Sequence, residues 1–161
     1  MLYYSNKLKL LLSEAKGTIM NKVIHFLDHY TVVELRSILL GALAPFQPKW
    51  IYLFGSAALK QDHAHSDLDF AFYSDAEHDS IDVFMRAQQL SSRFHRELDL
   101  IQLRSSSTVF QKEVLVSSLL IYEADQSARE LFESIVLKKY ARLNEERMPI
   151  LKQYISGSGH D

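Results

Sequence analysis

Two short runs of strand character, one ending in a glycine turn and the other beginning with paired acids, constrain this chain more than any other feature. The first, Trp50-Ile51-Tyr52-Leu53-Phe54, stops at Gly55-Ser56; after ten intervening residues Asp67-Leu68-Asp69 opens the second, which continues through Phe70-Ala71-Phe72-Tyr73. Aromatic and β-branched residues favour extended backbone, and a strand sends successive side chains to opposite faces. Asp67 and Asp69 therefore share one face while Leu68 and Phe70 take the other. Along that strand the carboxylates stand about 6.5–7 Å apart, near enough to converge on cations between them.

Mg²⁺ prefers oxygen ligands, takes one or two protein carboxylates in nucleotide sites, and fills its other positions with water and substrate phosphate. The Asp67–Asp69 pair thus suits a metal–triphosphate complex. Gly55 lets backbone approach a ligand with no Cβ in the way, and Ser56 offers a hydroxyl and an amide at an expected helix start. Together these point to metal-dependent nucleotide transfer.

Composition narrows the alternatives. At 161 residues and 47% hydrophobic content the chain can bury one ordinary core. A net charge of −2 supplies no global basic field, so no direct nucleic-acid binding is expected. The absence of cysteine removes disulfides, thiolate zinc sites and thiol nucleophiles, and suits a cytoplasmic location. Near the start, Leu8, Leu11, Leu12, Ala15 and Ile19 follow a helical stripe, but Lys7, Lys9, Glu14 and Lys16 interrupt it. It is too short and too charged to span a membrane, and no membrane association is expected. Residues 1–20 read as a docking helix or as an extension ahead of Met20, 21–155 as a single domain, and 156–161 as a flexible tail.

Further along, Thr31-Val32-Val33-Glu34 has the form of a capping box for a helix that stops before Pro45. Residues 74–80 read as a polar loop. Ile81, Phe84, Met85, Leu90 and Phe94 suggest a helix laid over the sheet. Glu97-Leu98-Asp99-Leu100-Ile101-Gln102-Leu103 is the next alternating run. Ser107 is placed to cap a helix over residues 108–117, and residues 119–122 form a short fourth strand. Ser127-Ala128-Arg129-Glu130 repeats the capping pattern ahead of a long helix with Leu131, Ile135, Leu137, Tyr140 and Leu143, which Pro149 kinks or restarts. The sum is an α/β (α+β) domain, a small mixed sheet flanked by helices.

The residues Leu53-Phe54-Gly55-Ser56, followed at fixed spacing by Ser66-Asp67-Leu68-Asp69, resemble the signature of the DNA polymerase beta nucleotidyltransferase superfamily. More narrowly, the chain is similar to the minimal nucleotidyltransferases (MNT), the antitoxins that act beside HEPN-domain toxins, across most of residues 21–155. The resemblance implies a nucleotidyltransferase fold and a third carboxylate on a following strand. Asp99 occupies that place as the candidate catalytic base, with Glu97 on the same strand face as the reserve. Members of the family commonly carry an arginine and a second glycine after the Gly-Ser. Here the stretch reads Ala57-Ala58-Leu59-Lys60-Gln61, leaving Lys60 as its cation.

The resemblance implies an antitoxin of a type VII-like toxin–antitoxin pair, forming a hetero-oligomer with its toxin. Such a protein transfers AMP from ATP to a hydroxyl, a tyrosine, of a HEPN ribonuclease toxin and so neutralises it. Asp67, Asp69 and Asp99 would be catalytic and hold Mg²⁺, and Gly55 and Ser56 would bind the nucleotide. The alternatives are an antitoxin that blocks its partner by contact alone, and a nucleotidyltransferase acting on a small molecule. His63 and His65 read as solvated loop residues. Arg104-Ser105-Ser106-Ser107 reads as structural capping, and Lys138, Lys139, Arg142 and Arg147 as a solvated or partner-facing helix surface. Ser56 lacks the neighbours of a covalent hydrolase.

Overall fold

A computed structural model of the chain describes residues 31–58 and 66–157. The expected N-terminal helix, Lys60, His63, His65 and the end of the tail from residue 158 lie outside the described residues.

Thr31 and Glu34 form the expected capping box. Glu34 N–H donates to Thr31 Oγ1 at 3.2 Å, and Thr31 N–H donates to Glu34 Oε2 at 2.7 Å, opening α1 (Val32–Leu43). The helix stops ahead of Pro45, which enters a 3₁₀ turn over Ala44–Phe46. The chain continues through β1 (Trp50–Phe54), a helical turn α2 (Gly55–Ala58), β2 (Leu68–Tyr73), α3 (Ser80–Phe94) and β3 (Leu98–Gln102). A second 3₁₀ turn (Leu103–Ser105) leads to α4 (Thr108–Ser117), β4 (Leu119–Glu123) and α5 (Gln126–Gly157).

The strands form a mixed sheet in the order β3-β2-β1-β4. β1 runs antiparallel to both β2 and β4, whereas β2 and β3 are parallel. A parallel neighbour requires a crossover, and α3 supplies it. Alternation then sorts the side chains. Ile51, Leu53, Leu68, Phe70, Phe72, Leu98 and Leu100 share a core with Leu35 and Leu39 of α1 and Leu90 and Phe94 of α3. On the other face Trp50, Tyr52 and Ala71 pack with Val114 of α4 and Phe132 of α5. Those covering residues lie over the middle of the sheet, leaving the starts of β2 and β3 open on this second face: Asp69 is half-buried, Asp67 and Asp99 exposed.

Three expectations change. On α3 the buried stripe is Val83, Ala87, Leu90 and Phe94, while Ile81, Phe84 and Met85 are 69%, 60% and 54% exposed. Leu90 and Phe94 are buried as expected, and Val83 and Ala87 complete the stripe in place of Ile81, Phe84 and Met85. On α5 the cap is Asp125, whose Oδ1 accepts from Ala128 N–H at 3.0 Å, so the helix begins ahead of the Ser127 pattern. Leu131, Ile135 and Leu137 are exposed there, and Phe132 and Val136 face the protein instead. α5 also runs through Pro149 without the restart expected there as one outcome.

Polar contacts hold α5 in place. Arg129 donates to Glu123 Oε2 at 2.7 Å and to Glu133 Oε1 at 2.5 Å, and Tyr52 Oη donates to Glu133 Oε1 at 2.6 Å. Burial, then the bond to Glu133, raises the Tyr52 phenol well above its ordinary value. Burial alone would lower Arg129; its bonds to Glu123 and Glu133 outweigh that and raise it. Arg129→Ala strips Glu133 of its cation and leaves two half-buried carboxylates near one another. We expect a loss of about 2–3 kcal/mol, read as a lower urea midpoint with an unchanged slope.

Candidate active site

The site begins where β1 ends. Phe54 pairs with Asp69, so the next residue, Gly55, turns the chain into α2 directly beside the Asp69 side chain. Gly55 has φ +70°, in the left-handed region that L side chains rarely adopt. A Cβ built at this position would lie 2.9 Å from Asp69 Cγ and would overlap Oδ2. Glycine is thus required twice over, for the turn and for the carboxylate packed against it. Ser56 follows, half-buried, while Ala57 and Ala58 are buried in the core. The small residues standing where family members carry arginine and glycine therefore serve packing.

On the other side of Asp69 stands Asp99, its register partner across the parallel β2–β3 pair. Strands lie about 4.8 Å apart, so these side chains are direct neighbours on one face. Asp67 stands at the entrance to β2, close enough for its charge to act on Asp69. Burial, then the charge of Asp99, then that of Asp67, raises the Asp69 pKa above its ordinary 3.8. Register favours Asp99 over Glu97, which sits just before β3 with its carbonyl accepting from Leu68 N–H at 2.9 Å.

Sequence reading missed the group that holds this entrance. Arg96, in the turn between α3 and β3, donates from a guanidinium nitrogen to the carbonyl of Ser66, the residue before Asp67. Thirty positions separate the partners, so no local pattern announced the contact. The Arg104-Ser105-Ser106-Ser107 stretch is structural as expected: Ser106 Oγ donates to the Gln102 carbonyl at 2.8 Å, and Ser107 Oγ accepts from Phe110 N–H at 3.2 Å.

Among the described residues no three acidic, histidine or cysteine side chains already close into a finished metal cage. The arrangement is an open row of carboxylates with one member raised by burial and then by its neighbours. Hard oxygen donors and unrelieved like charge fit a divalent cation that keeps water and phosphate among its ligands. Such a row beside a glycine turn can orient a polyphosphate and stabilise charge on attacking and leaving oxygens.

The sequence pattern of the family described as polymerase beta, nucleotidyltransferase matches residues 42–127, the span from the end of α1 into α5 that contains the glycine turn and all three acids. The chain belongs to that nucleotidyltransferase family. Within it, the chain is 32% identical over 108 residues to the protein adenylyltransferase MntA of Shewanella oneidensis, covering 67% of this chain and 77% of that protein. Solved structures agree. A toxin–antitoxin structure with AMP-PNP superposes with a TM-score of 0.67 at 31% identity, covering 74% of this chain and 98% of that one. The MNT antitoxin bound to a tri-AMPylated HEPN toxin from Shewanella oneidensis superposes with a TM-score of 0.64 at 28% identity, covering 78% of this chain and 99% of that one. No helix among the described residues of this nucleotidyltransferase is long and apolar enough to cross a membrane.

Proposed function

We propose that this nucleotidyltransferase is an antitoxin that transfers AMP from ATP to a tyrosine hydroxyl of a HEPN-domain toxin and thereby silences it. The observation that carries this reading is the row Gly55–Asp69–Asp99, in which a carboxylate packs against the turn and faces a second across the strands. Likeness to an adenylyltransferase, and to an antitoxin solved beside a tri-AMPylated toxin, supplies the group transferred and the class of acceptor.

In this reading Asp67 and Asp69 hold Mg²⁺ and Asp99 joins them. Bound Mg²⁺ supplies charge neutralisation for the triphosphate and for the oxygens attacking and leaving the α-phosphorus. Asp99 takes the proton of the acceptor hydroxyl. The acceptor oxygen forms a bond to the α-phosphorus, the bond to the β-phosphate bridge breaks, and pyrophosphate leaves. Gly55 and Ser56 bind phosphate through backbone amide and hydroxyl groups. Arg96 positions the entrance to β2 without touching substrate.

The test is to incubate the purified pair with α-labelled ATP and Mg²⁺. Label is expected on the toxin, with matching loss of its ribonuclease activity. Neutralisation without label would favour a contact inhibitor, a reading supported by the alanines after Gly55-Ser56.

The raised Asp69 pKa has a definite sign. Folded Asp69 holds its proton more tightly than in the unfolded chain, so this group favours the fold at low pH. That contribution is lost as pH rises through the folded value. A cation relieves the charged state. Stabilisation by Mg²⁺ should therefore be largest near neutral pH and fade in acid at a pH above the ordinary aspartate range, measured as the shift in melting temperature with added metal.

A further inference from the structure

β3 is the outer strand of the sheet, and its bonds to β2 decide which of its backbone groups point outward. Leu68 is in register with Leu98 and donates to the carbonyl of Glu97. Backbone groups of successive strand residues point to opposite edges, so those of Glu97, Asp99 and Ile101 face β2. Leu98, Leu100 and Gln102 turn theirs to the free edge. The Gln102 carbonyl is occupied by Ser106 Oγ at 2.8 Å, which leaves Leu98 and Leu100 as the open pair. No strand among the described residues covers them.

A cleft of about 470 Å³, within the roughly 300–1,000 Å³ typical of ligand pockets, runs along this edge. Phe84 and Gln88 of α3 form one wall, and Asp99, the register partner of Asp69, is among the β3 residues that line the same cleft. His78 closes the Gln102 end, its N–H donating to Gln102 Oε1 at 2.9 Å. The cleft is lined by Glu77 and Asp99 and by no lysine or arginine, which disfavours a nucleic-acid backbone. Outward peptide groups at alternate residues match another extended peptide, and the exposed Phe84 ring offers apolar surface to its side chains.

We propose that the free edge of β3 is the acceptor site: an extended segment of the partner protein adds to the sheet there as a further strand. Its residue beside Asp99 carries the acceptor hydroxyl, extending the row that runs from Phe54 through Asp69 to Asp99. This rests on the protein-transferase reading above and specifies how the acceptor is presented. Side chains of paired strands share a face, so strand addition brings a tyrosine alongside the Asp99 carboxylate without any further binding domain.

Two measurements test it on the full chain with its HEPN-domain partner. Amide hydrogen exchange by NMR, without ATP, should show Leu98 and Leu100 slowed about tenfold or more on complex formation, while Asp99 and Ile101, already turned toward β2, change little. Phe84→Glu, an exposed substitution, should raise KM for the partner about tenfold and leave KM for ATP unchanged. Unprotected Leu98 and Leu100 amides, or an unchanged partner KM in Phe84→Glu, overturn the strand site while the transferase reading stands. No label transfer from the unmodified pair overturns both.

Discussion

Asp69→Asn abolishes AMP transfer to the toxin and leaves the free protein at least as stable as before. The two halves of this result have one cause. Asp69 stands between Gly55 and Asp99, half-buried, with its pKa raised first by burial and then by the charges of Asp99 and Asp67. Asparagine keeps the shape and removes the charge, so the repulsion disappears from the free protein and the proposed Mg²⁺ site would lose its central carboxylate. We expect transfer to fall about a thousandfold or more, equivalent to roughly 4 kcal/mol of transition-state stabilisation. Initial rates of label incorporation and a urea melt on the same preparation measure both effects. Asp67→Asn should also abolish labelling; retained labelling in both variants would defeat the assignment of these acids.

Gly55→Ala is the second large effect, and it adds a single methyl group. At φ +70° a non-glycine residue costs about 1–2 kcal/mol, a modest loss for the fold. The larger consequence falls on Asp69, because the new Cβ would occupy the position of its Oδ2. A carboxylate is the free end of a side chain and can swing aside, so the protein folds with the carboxylate of the proposed metal site displaced. Displacements near 1 Å cost about a hundredfold in rate, which sets the expected loss. Circular dichroism should remain that of the parent while label transfer collapses and the melting-temperature response to Mg²⁺ shrinks. A Gly55→Ala protein with normal turnover would show that the contact between turn and carboxylate has no part in catalysis.

Much of the site was legible because its information is local. The alternation of Asp67, Leu68, Asp69 and Phe70 assigns faces by the period of a strand, and the structure buries Leu68 and Phe70 completely. Thr31 and Glu34 stand close enough in sequence for their capping box to be read directly. The α3 helix, with Leu90 and Phe94 buried, was equally legible, but the rest of its buried stripe was not. Two flanks of that helix carry apolar residues, and only contact with the sheet selected Val83, Ala87, Leu90 and Phe94 over Ile81, Phe84 and Met85. The surplus flank, with Phe84 in the cleft beside β3, is the surface on which the acceptor proposal stands.

Strand periodicity and short-range capping are properties of a few neighbouring residues, so sequence alone determined the strands, the opposite faces of Asp69 and its neighbours Leu68 and Phe70, and the turn at Gly55. Tertiary structure alone decided that Asp99 is the register partner of Asp69 and that the Gly55 backbone touches the Asp69 carboxylate. The same holds for Arg96 reaching Ser66 and for β3 lying at the open edge. These facts depend on how distant segments pair and pack, and no periodicity within a single segment encodes which neighbour it meets.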